Sequence, residues 1–115
     1  MSILEVELLK HILIECNYIN SVVGRLTSIS QLIEDETLKR AVVRSLEVIG
    51  EASNKIPGEL KDKMDSISWK SMSGMRNRLI HEYMGINYNI VWDVIRNKIP
   101  LLTEQIELNL KNMVD

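Results

Sequence analysis

Apolar residues recur every three or four positions through each long segment of this 115-residue chain, and only two prolines interrupt it. This spacing places apolar side chains on one face of an α-helix, whereas no segment shows the two-residue alternation of a β-strand. The pattern therefore predicts an all-α chain, organised as a bundle of about five helices. Because 45% of its 115 residues are apolar, we expect one core and a single domain over 1–115.

The first half of the chain predicts two long helices. The first runs from Ser2, which suits an N-cap, to about Leu26, and the second covers about 35–55 and ends before Pro57 and Gly58. The intervening "TSISQLIED" is expected to form a short helical turn that leads into the second helix. The apolar stripes of these two helices are Leu9, Ile12, Cys16, Ile19, Val23 and Leu26, and then Leu38, Val42, Leu46, Ile49 and Ala52.

The second half predicts three further helices after a polar stretch, "KDKMDSIS". The third helix covers about 68–84, with Ser66 or Ser68 as its N-cap and Gly85 as its terminator. A fourth covers about 88–98 and is closed by Pro100, and "LLTEQIELNLKNM" forms the fifth.

Charge and cysteine content narrow the class of protein. The net charge of −2 is that of an ordinary surface, so nucleic-acid binding would depend on a local basic patch. Cys16 is the single cysteine, which excludes an intrachain disulfide and favours a reducing compartment. One cysteine with two histidines makes a structural zinc site improbable, and no metal or other cofactor is expected. Neither a signal peptide nor a bilayer-spanning run is present, so we expect a cytoplasmic protein.

The stretch "GMRNRLIHEYMGI", residues 74–86, concentrates groups that suit phosphate chemistry. Arginine donates two hydrogen bonds to a phosphate, and histidine exchanges a proton near neutral pH. Arg76 and Tyr83 lie within roughly 20° of each other on an ideal helix, but Arg76 and His81 differ by roughly 140°. They converge if the helix distorts, or if two copies meet across a symmetric dimer, to which a close approach at Gly74 would contribute. By spacing alone, an exposed polar helix face is the more favoured interpretation, and Gly74 equally suits close packing within the chain.

Other basic residues are candidates for RNA contact. Arg40 and Arg44 lie four residues apart on the second long helix, and Arg78 follows the motif arginine by two. Most such arginines are solvated surface charges, and a phosphate-binding groove is the less favoured alternative.

The segment "GMRNRLIHEY" resembles the R-x4-H-x-Y pattern of the HepT-like proteins, a branch of the HEPN superfamily. Arg76, His81 and Tyr83 are then the motif residues, with Asn77 as a supporting polar residue. The resemblance extends over "RAVVRSLEVIGEASNKIP", "ISWKSMSGMRN" and "YMGINYNIVWDVIRNKIPLL", from about residue 38 to 107.

This resemblance implies a HEPN-like helical homodimer and a metal-independent RNase, which acts as the toxin of a toxin–antitoxin pair. It places Arg76 and His81 in catalysis, on an RNA substrate. It also implies an MntA-like nucleotidyltransferase antitoxin that transfers AMP to Tyr83. The role of Glu51 stays open between a salt bridge to a motif arginine and a helix contact.

Two alternatives remain from the residues themselves. The chain can be a non-catalytic dimer that binds a nucleotidyltransferase or a nucleotide. It can also be a structural helical dimer whose charged motif supports the interface. No base-reading module appears, so the sequence leaves tRNA, mRNA and broad single-stranded cleavage equally open.

Overall fold

The computed structural model describes residues 2–80 and 85–114, apart from the side chains at 76, 80, 113 and 114. This part of the chain is helical and contains no β-strand, which confirms the predicted all-α class. Its elements are α1 (Ile3–Val23), α2 (Ile29–Glu34), α3 (Glu36–Lys55), α4 (Gly58–Lys63), α5 (Trp69–Ile80), α6 (Tyr88–Asp93), a π-helical turn (Val94–Lys98) and α7 (Ile99–Val114).

Helix α1 begins as its sequence predicts, with a reciprocal cap. The Ser2 hydroxyl accepts a hydrogen bond from the Glu5 N–H, and the Glu5 carboxylate accepts one from the Ser2 N–H, both at 3.1 Å. The helix ends at Val23, three residues before the predicted end. There the N–H groups of Arg25 and Leu26 donate hydrogen bonds to the carbonyls of Val22 and Val23, each at 3.0 Å. These bonds span three residues, so the chain leaves the helix in a tighter, 3₁₀-like turn.

The prediction for the second long helix is confirmed, and the turn before it is a helix of its own. The Asp35 carboxylate caps α3 by accepting from the Leu38 N–H at 3.0 Å. The chain then runs as α3 to Lys55, and Ile56 takes an extended backbone just before Pro57.

The chain after Pro57 forms a short helix, α4, which was not among the predicted helices. Pro57 ends α3 but also stands at the start of α4, where its carbonyl accepts from the N–H groups of Leu60 and Lys61 at 3.1 and 3.0 Å. A proline has no N–H to leave unpaired and a φ angle suited to a helix start. Leu60 is buried, so packing adds to the stability of this short helix.

The predicted closure of a helix by Pro100 is also wrong. Helix α6 continues through the π turn into α7, and the Ile99 N–H bonds to the Val94 carbonyl five residues back. A proline ring normally clashes with the carbonyl four residues before it, here that of Arg96. The widened turn removes that conflict, so the helical segment passes through Pro100.

The core lies where the apolar stripes meet. Helix α1 packs against α3 and α7, and α3 packs against α5. The predicted stripes are largely confirmed, with Val22 more deeply buried than Val23 and Leu38 only half-buried. The fully buried side chains from α1 and α3 include Leu9, Ile12, Cys16, Ile19, Val42, Leu46 and Ile49.

A small polar cluster joins α1 to α7 inside this core. The Asn20 amide donates to the Thr103 hydroxyl at 2.9 Å, and that hydroxyl donates to the Ile99 carbonyl at 2.7 Å. Cys16 lies beside Thr103, and its burial raises the pKa of the thiol to about 12.

Within residues 2–80 and 85–114, no helix is long and apolar enough to cross a membrane. The cytoplasmic location stays a prediction.

Candidate functional site

Helix α5 carries the first half of the predicted motif, and its position follows from its apolar residues. Met72, Met75 and Leu79 are buried at helical spacing, and they seat α5 on the core beside α3. Trp69 fixes the start of the helix, because its indole N–H donates to the Met64 carbonyl at 3.1 Å. A buried indole needs such a partner.

The predicted catalytic residues are only partly described. Arg76 is a helical residue of α5 between buried Met75 and exposed Asn77, and its side chain lies outside the described part. His81 and Tyr83 lie outside the described residues altogether. The catalytic assignment of Arg76 and His81, the support from Asn77 and the modification of Tyr83 therefore stay predictions.

The chain after the motif resumes with a glycine conformation that suits a helix end. Gly85 has a φ of +105°, a region that side chains with a Cβ rarely adopt. Two residues later the Asn87 side chain caps α6 by accepting from the Asn89 N–H at 3.0 Å. The described part of α5 reaches Ile80, and residues 81–84 lie outside the described residues, so the predicted end of the third helix at Gly85 stays a prediction.

Arg40 and Arg44 are exposed on α3, and both already face carboxylates of the same helix. Arg40 Nε lies 2.8 Å from Glu36 Oε1. Arg44 Nη1 lies 3.2 Å from Glu47 Oε2 and 3.7 Å from Glu51 Oε1. Glu51 thus has a charge partner on α3. Exposed pairs of this kind are weak, so an RNA phosphate can compete for either arginine, and their role in RNA binding stays a prediction.

Arg78 opens onto a cleft of about 260 Å³ between α5 and the segment formed by the π turn and α7. Arg78 stands on one wall, and Lys98, the last residue of the π turn, lines the other. Asp93 also lines the cleft, where its carboxylate accepts from the Asn97 amide at 2.8 Å. Two bases and one acid give the lining a net charge of +1.

Sequence reasoning identified Arg78 but missed Lys98 and the serines that face it. Ser66, Ser68 and Ser71 line the same cleft, above a floor that includes Met72, Met75, Val94 and Leu102. Nothing in their local pattern marks these residues, because α5 ends at Ile80 and α7 begins at Ile99, with eighteen residues between them. Only the tertiary fold brings them together.

Among the described residues, no group of three or more His, Cys, Asp or Glu side chains is close enough to hold a metal ion.

Comparison with known proteins shows what this chain is similar to. The model of the family described as "Ribonuclease HepT-like" matches residues 12–108. A putative RNase of Caldanaerobacter subterraneus subsp. tengcongensis is 45% identical over 101 residues, which cover 86% of this chain and 88% of that protein. A putative RNase of Methanocaldococcus jannaschii is 42% identical over 83 residues, covering 72% and 69%.

A probable ribonuclease HepT of Thermococcus cleftensis is 40% identical over 73 residues, covering 64% of this chain and 66% of that protein. No solved structure matches significantly. The match of the family model to most of the sequence, together with these relatives, shows that the chain belongs to the HepT-like ribonuclease family.

Proposed function

We propose that this protein is a metal-independent endoribonuclease and the toxin of a toxin–antitoxin pair. The observation that carries the proposal is membership of the HepT-like ribonuclease family, in a chain that retains Arg76, His81 and Tyr83 at the motif spacing. The relatives' names, which describe putative RNases and a probable ribonuclease HepT, support the same reaction class.

The proposed chemistry uses only the RNA and two side chains. The 2′-oxygen of the RNA attacks the adjacent phosphorus, the bond from phosphorus to the 5′-oxygen breaks, and a 2′,3′-cyclic phosphate and a free 5′-hydroxyl result. His81 acts as the base for the 2′-hydroxyl or the acid for the leaving oxygen. Arg76 stabilises the charge that builds on the phosphate in the transition state.

Control is proposed to act on the tyrosine of the same motif. An MntA-like nucleotidyltransferase transfers AMP from ATP to the Tyr83 hydroxyl and releases pyrophosphate. On an ideal helix, positions 76 and 83 share one side. The added phosphodiester charge and nucleotide bulk would therefore compete with the RNA phosphate for Arg76.

A homodimer in which the two copies of the motif face one cleft completes the proposal. Gly74 supports it, because no atom among the described residues lies within 4 Å of the Cβ that another residue would have there. Close packing within the chain therefore does not account for this helical glycine in the described part. In a dimer, Gly74 would instead let the two α5 helices approach each other.

The dimer is tested by adding bulk at this glycine. We expect Gly74→Leu to convert the dimer to a monomer in sedimentation velocity runs. Gly58→Leu is the matched control, since no atom of the described residues lies within 4 Å of a Cβ at Gly58 either, but this glycine starts a different helix. If the Gly74→Leu protein still sediments like the wild-type dimer, α5 does not form the dimer interface.

The activity is tested by RNA cleavage in excess EDTA with wild type, His81→Ala and Tyr83→Phe. General acid–base catalysis contributes about 10²–10⁴-fold, so His81→Ala should lose cleavage by that factor. Tyr83→Phe should cleave like wild type and resist silencing by the nucleotidyltransferase and ATP.

Equal cleavage by His81→Ala would refute the role of His81. If unmodified wild type, checked by intact mass, cleaves no RNA, the enzymatic function itself is wrong. That outcome would favour a non-catalytic dimer that binds a nucleotidyltransferase or a nucleotide.

A further inference from the structure

The cleft between α5 and α7 combines groups that suit a phosphate. Arg78 lines it from α5, and Lys98 lines it from the end of the π turn. No carboxylate of the described residues lies within 4.0 Å of either cation, in contrast to the paired Arg40 and Arg44. An arginine and a lysine on opposite walls supply a fork of donors and a point charge, a pairing that suits a phosphate group.

The cleft is also framed by fixed backbone. The Gln105 amide of α7 donates to the Ser66 carbonyl at 2.7 Å, which ties the two walls together at one end. The hydrogen bond from the Trp69 indole N–H to the Met64 carbonyl stabilises the same turn. The hydroxyls of Ser68 and Ser71 then stand on a wall that is already positioned, where they can hydrogen-bond a ligand without ordering a loop.

Below the polar rim, the floor is apolar and adaptable. It includes Met72 and Met75 from α5 with Val94 and Leu102 from the opposite side, while Leu101 stands at the rim with 53% of its surface exposed. Methionine side chains adjust to flat or irregular ligands. A polar rim over an apolar floor matches a ligand that has a charged group attached to a planar ring.

Size and local geometry limit the ligand further. A volume of about 260 Å³ is just below the ~300–1,000 Å³ of most small-molecule sites. It suits one nucleotide unit and is too small for a dinucleotide cofactor. The π turn that accommodates Pro100 ends at Lys98 and so places this residue on the wall of the cleft.

We propose that this cleft binds one nucleoside phosphate unit, with the phosphate between Arg78 and Lys98 and the base over the methionine floor. The unit comes either from an RNA strand or from a free nucleotide. The RNA source rests on the proposed function, in which the cleft holds a nucleotide outside the cleavage point. Helical positions 76 and 78 differ by about 160° around the axis of α5, so the cleft is separate from the position of Arg76.

The test measures binding without cleavage. The probe is a fluorescein-labelled 2′-O-methyl oligoribonucleotide, whose blocked 2′-oxygen cannot attack the phosphate, and the readout is anisotropy across a salt series. We expect the Arg78→Gln/Lys98→Gln double variant to bind about tenfold more weakly. The slope of log K against log salt should fall by about 0.7, the value for one phosphate contact on a single strand.

The matched control is Lys70→Gln/Lys111→Gln, which removes the same charge from exposed positions of α5 and α7 outside the cleft. It should bind like wild type. Competition by AMP separates the two sources. If AMP displaces a strand from wild type but not from the cleft variant, the cleft takes free nucleotides as well. If AMP does not compete, the cleft takes the strand only.

Equal weakening by both double variants would overturn the proposal, because it would indicate only a general charge effect. Unchanged binding in the cleft variant, or no binding of the oligoribonucleotide to wild type, would overturn it too. The two proposals fail separately. If binding depends on the cleft but no RNA is cleaved, the cleft proposal is supported and the nuclease proposal is refuted. If RNA is cleaved but binding does not depend on the cleft, the nuclease proposal is supported and the cleft proposal is refuted.

Discussion

Cys16 offers the sharpest quantitative test of the packing between α1 and α7. Its thiol has no exposed surface, and burial raises its pKa from 9.0 to about 12. The hydrogen bond with Thr103 lowers the pKa, and the nearby charge of Glu15 raises it, but desolvation is the largest cause. The thiolate is disfavoured because it would lose its water shell in the core.

The raised pKa has a defined effect on stability. The folded-state pKa lies above the unfolded value, so the contribution is fully present below pH 9 and is lost as pH rises from 9 toward 12. In that window the unfolded thiol ionises and the folded thiol does not. The loss approaches 1.4 kcal/mol per pH unit, so about 1.4 kcal/mol should be gone at pH 10.

The assay compares wild type with Cys16→Ala by urea denaturation at pH 7.5, 9 and 10. Lysines and tyrosines titrate in the same range, but they do so in both proteins. The difference in unfolding free energy between the two proteins therefore isolates the thiol. We expect the advantage of wild type over Cys16→Ala to shrink by about 1.4 kcal/mol between pH 7.5 and 10.

A difference that stays constant over this pH range would refute the buried-thiol argument. Alkylation gives an independent check. At pH 8 a pKa near 12 in place of 9.0 reduces the thiolate fraction about a thousandfold, so native Cys16 should resist iodoacetamide that labels the unfolded chain within minutes. Equal labelling of native and unfolded protein would contradict it.

Three further predictions test local features. Thr103→Val removes the hydroxyl that accepts a hydrogen bond from the buried Asn20 amide, and the oxygen of that amide already has no partner among the described residues. We expect the free energy of unfolding, measured by urea denaturation, to fall by about 1–3 kcal/mol. Gly85→Ala places a Cβ at a φ of +105°, where no atom of the described residues lies within 4 Å of it, so a thermal melt should show a conformational cost of about 1–2 kcal/mol. Hydrogen bonds from Arg40 and then Lys39 lower the pKa of Glu36, so its stabilisation is present above pH 4.5 and is lost as the pH falls. Glu36→Gln should therefore show a flatter loss of stability in acid than wild type.

The long helices were predictable because their signals are local. Ser2 followed by Glu5, and Asp35 before an apolar stripe, define helix starts by groups within one turn of each other. The predicted end of the second helix before Pro57 was right, but the short helix α4 that follows was missed, and the predicted helix end at Pro100 was wrong. A proline signals a break in a helix, but Pro57 also stands at the start of a new helix, and Pro100 is accommodated by a π turn.

For the candidate site, the sequence carried the motif and the family resemblance, since Arg76, His81 and Tyr83 lie within eight consecutive residues. It also determined the helical class, the apolar stripes and the single buried cysteine, because these depend on spacing along one helix. Only the tertiary structure decided that Arg78 faces Lys98 across a cleft, and that Cys16 contacts Thr103. Those pairs come from helices far apart in sequence, and their contact depends on how the helices pack against one another.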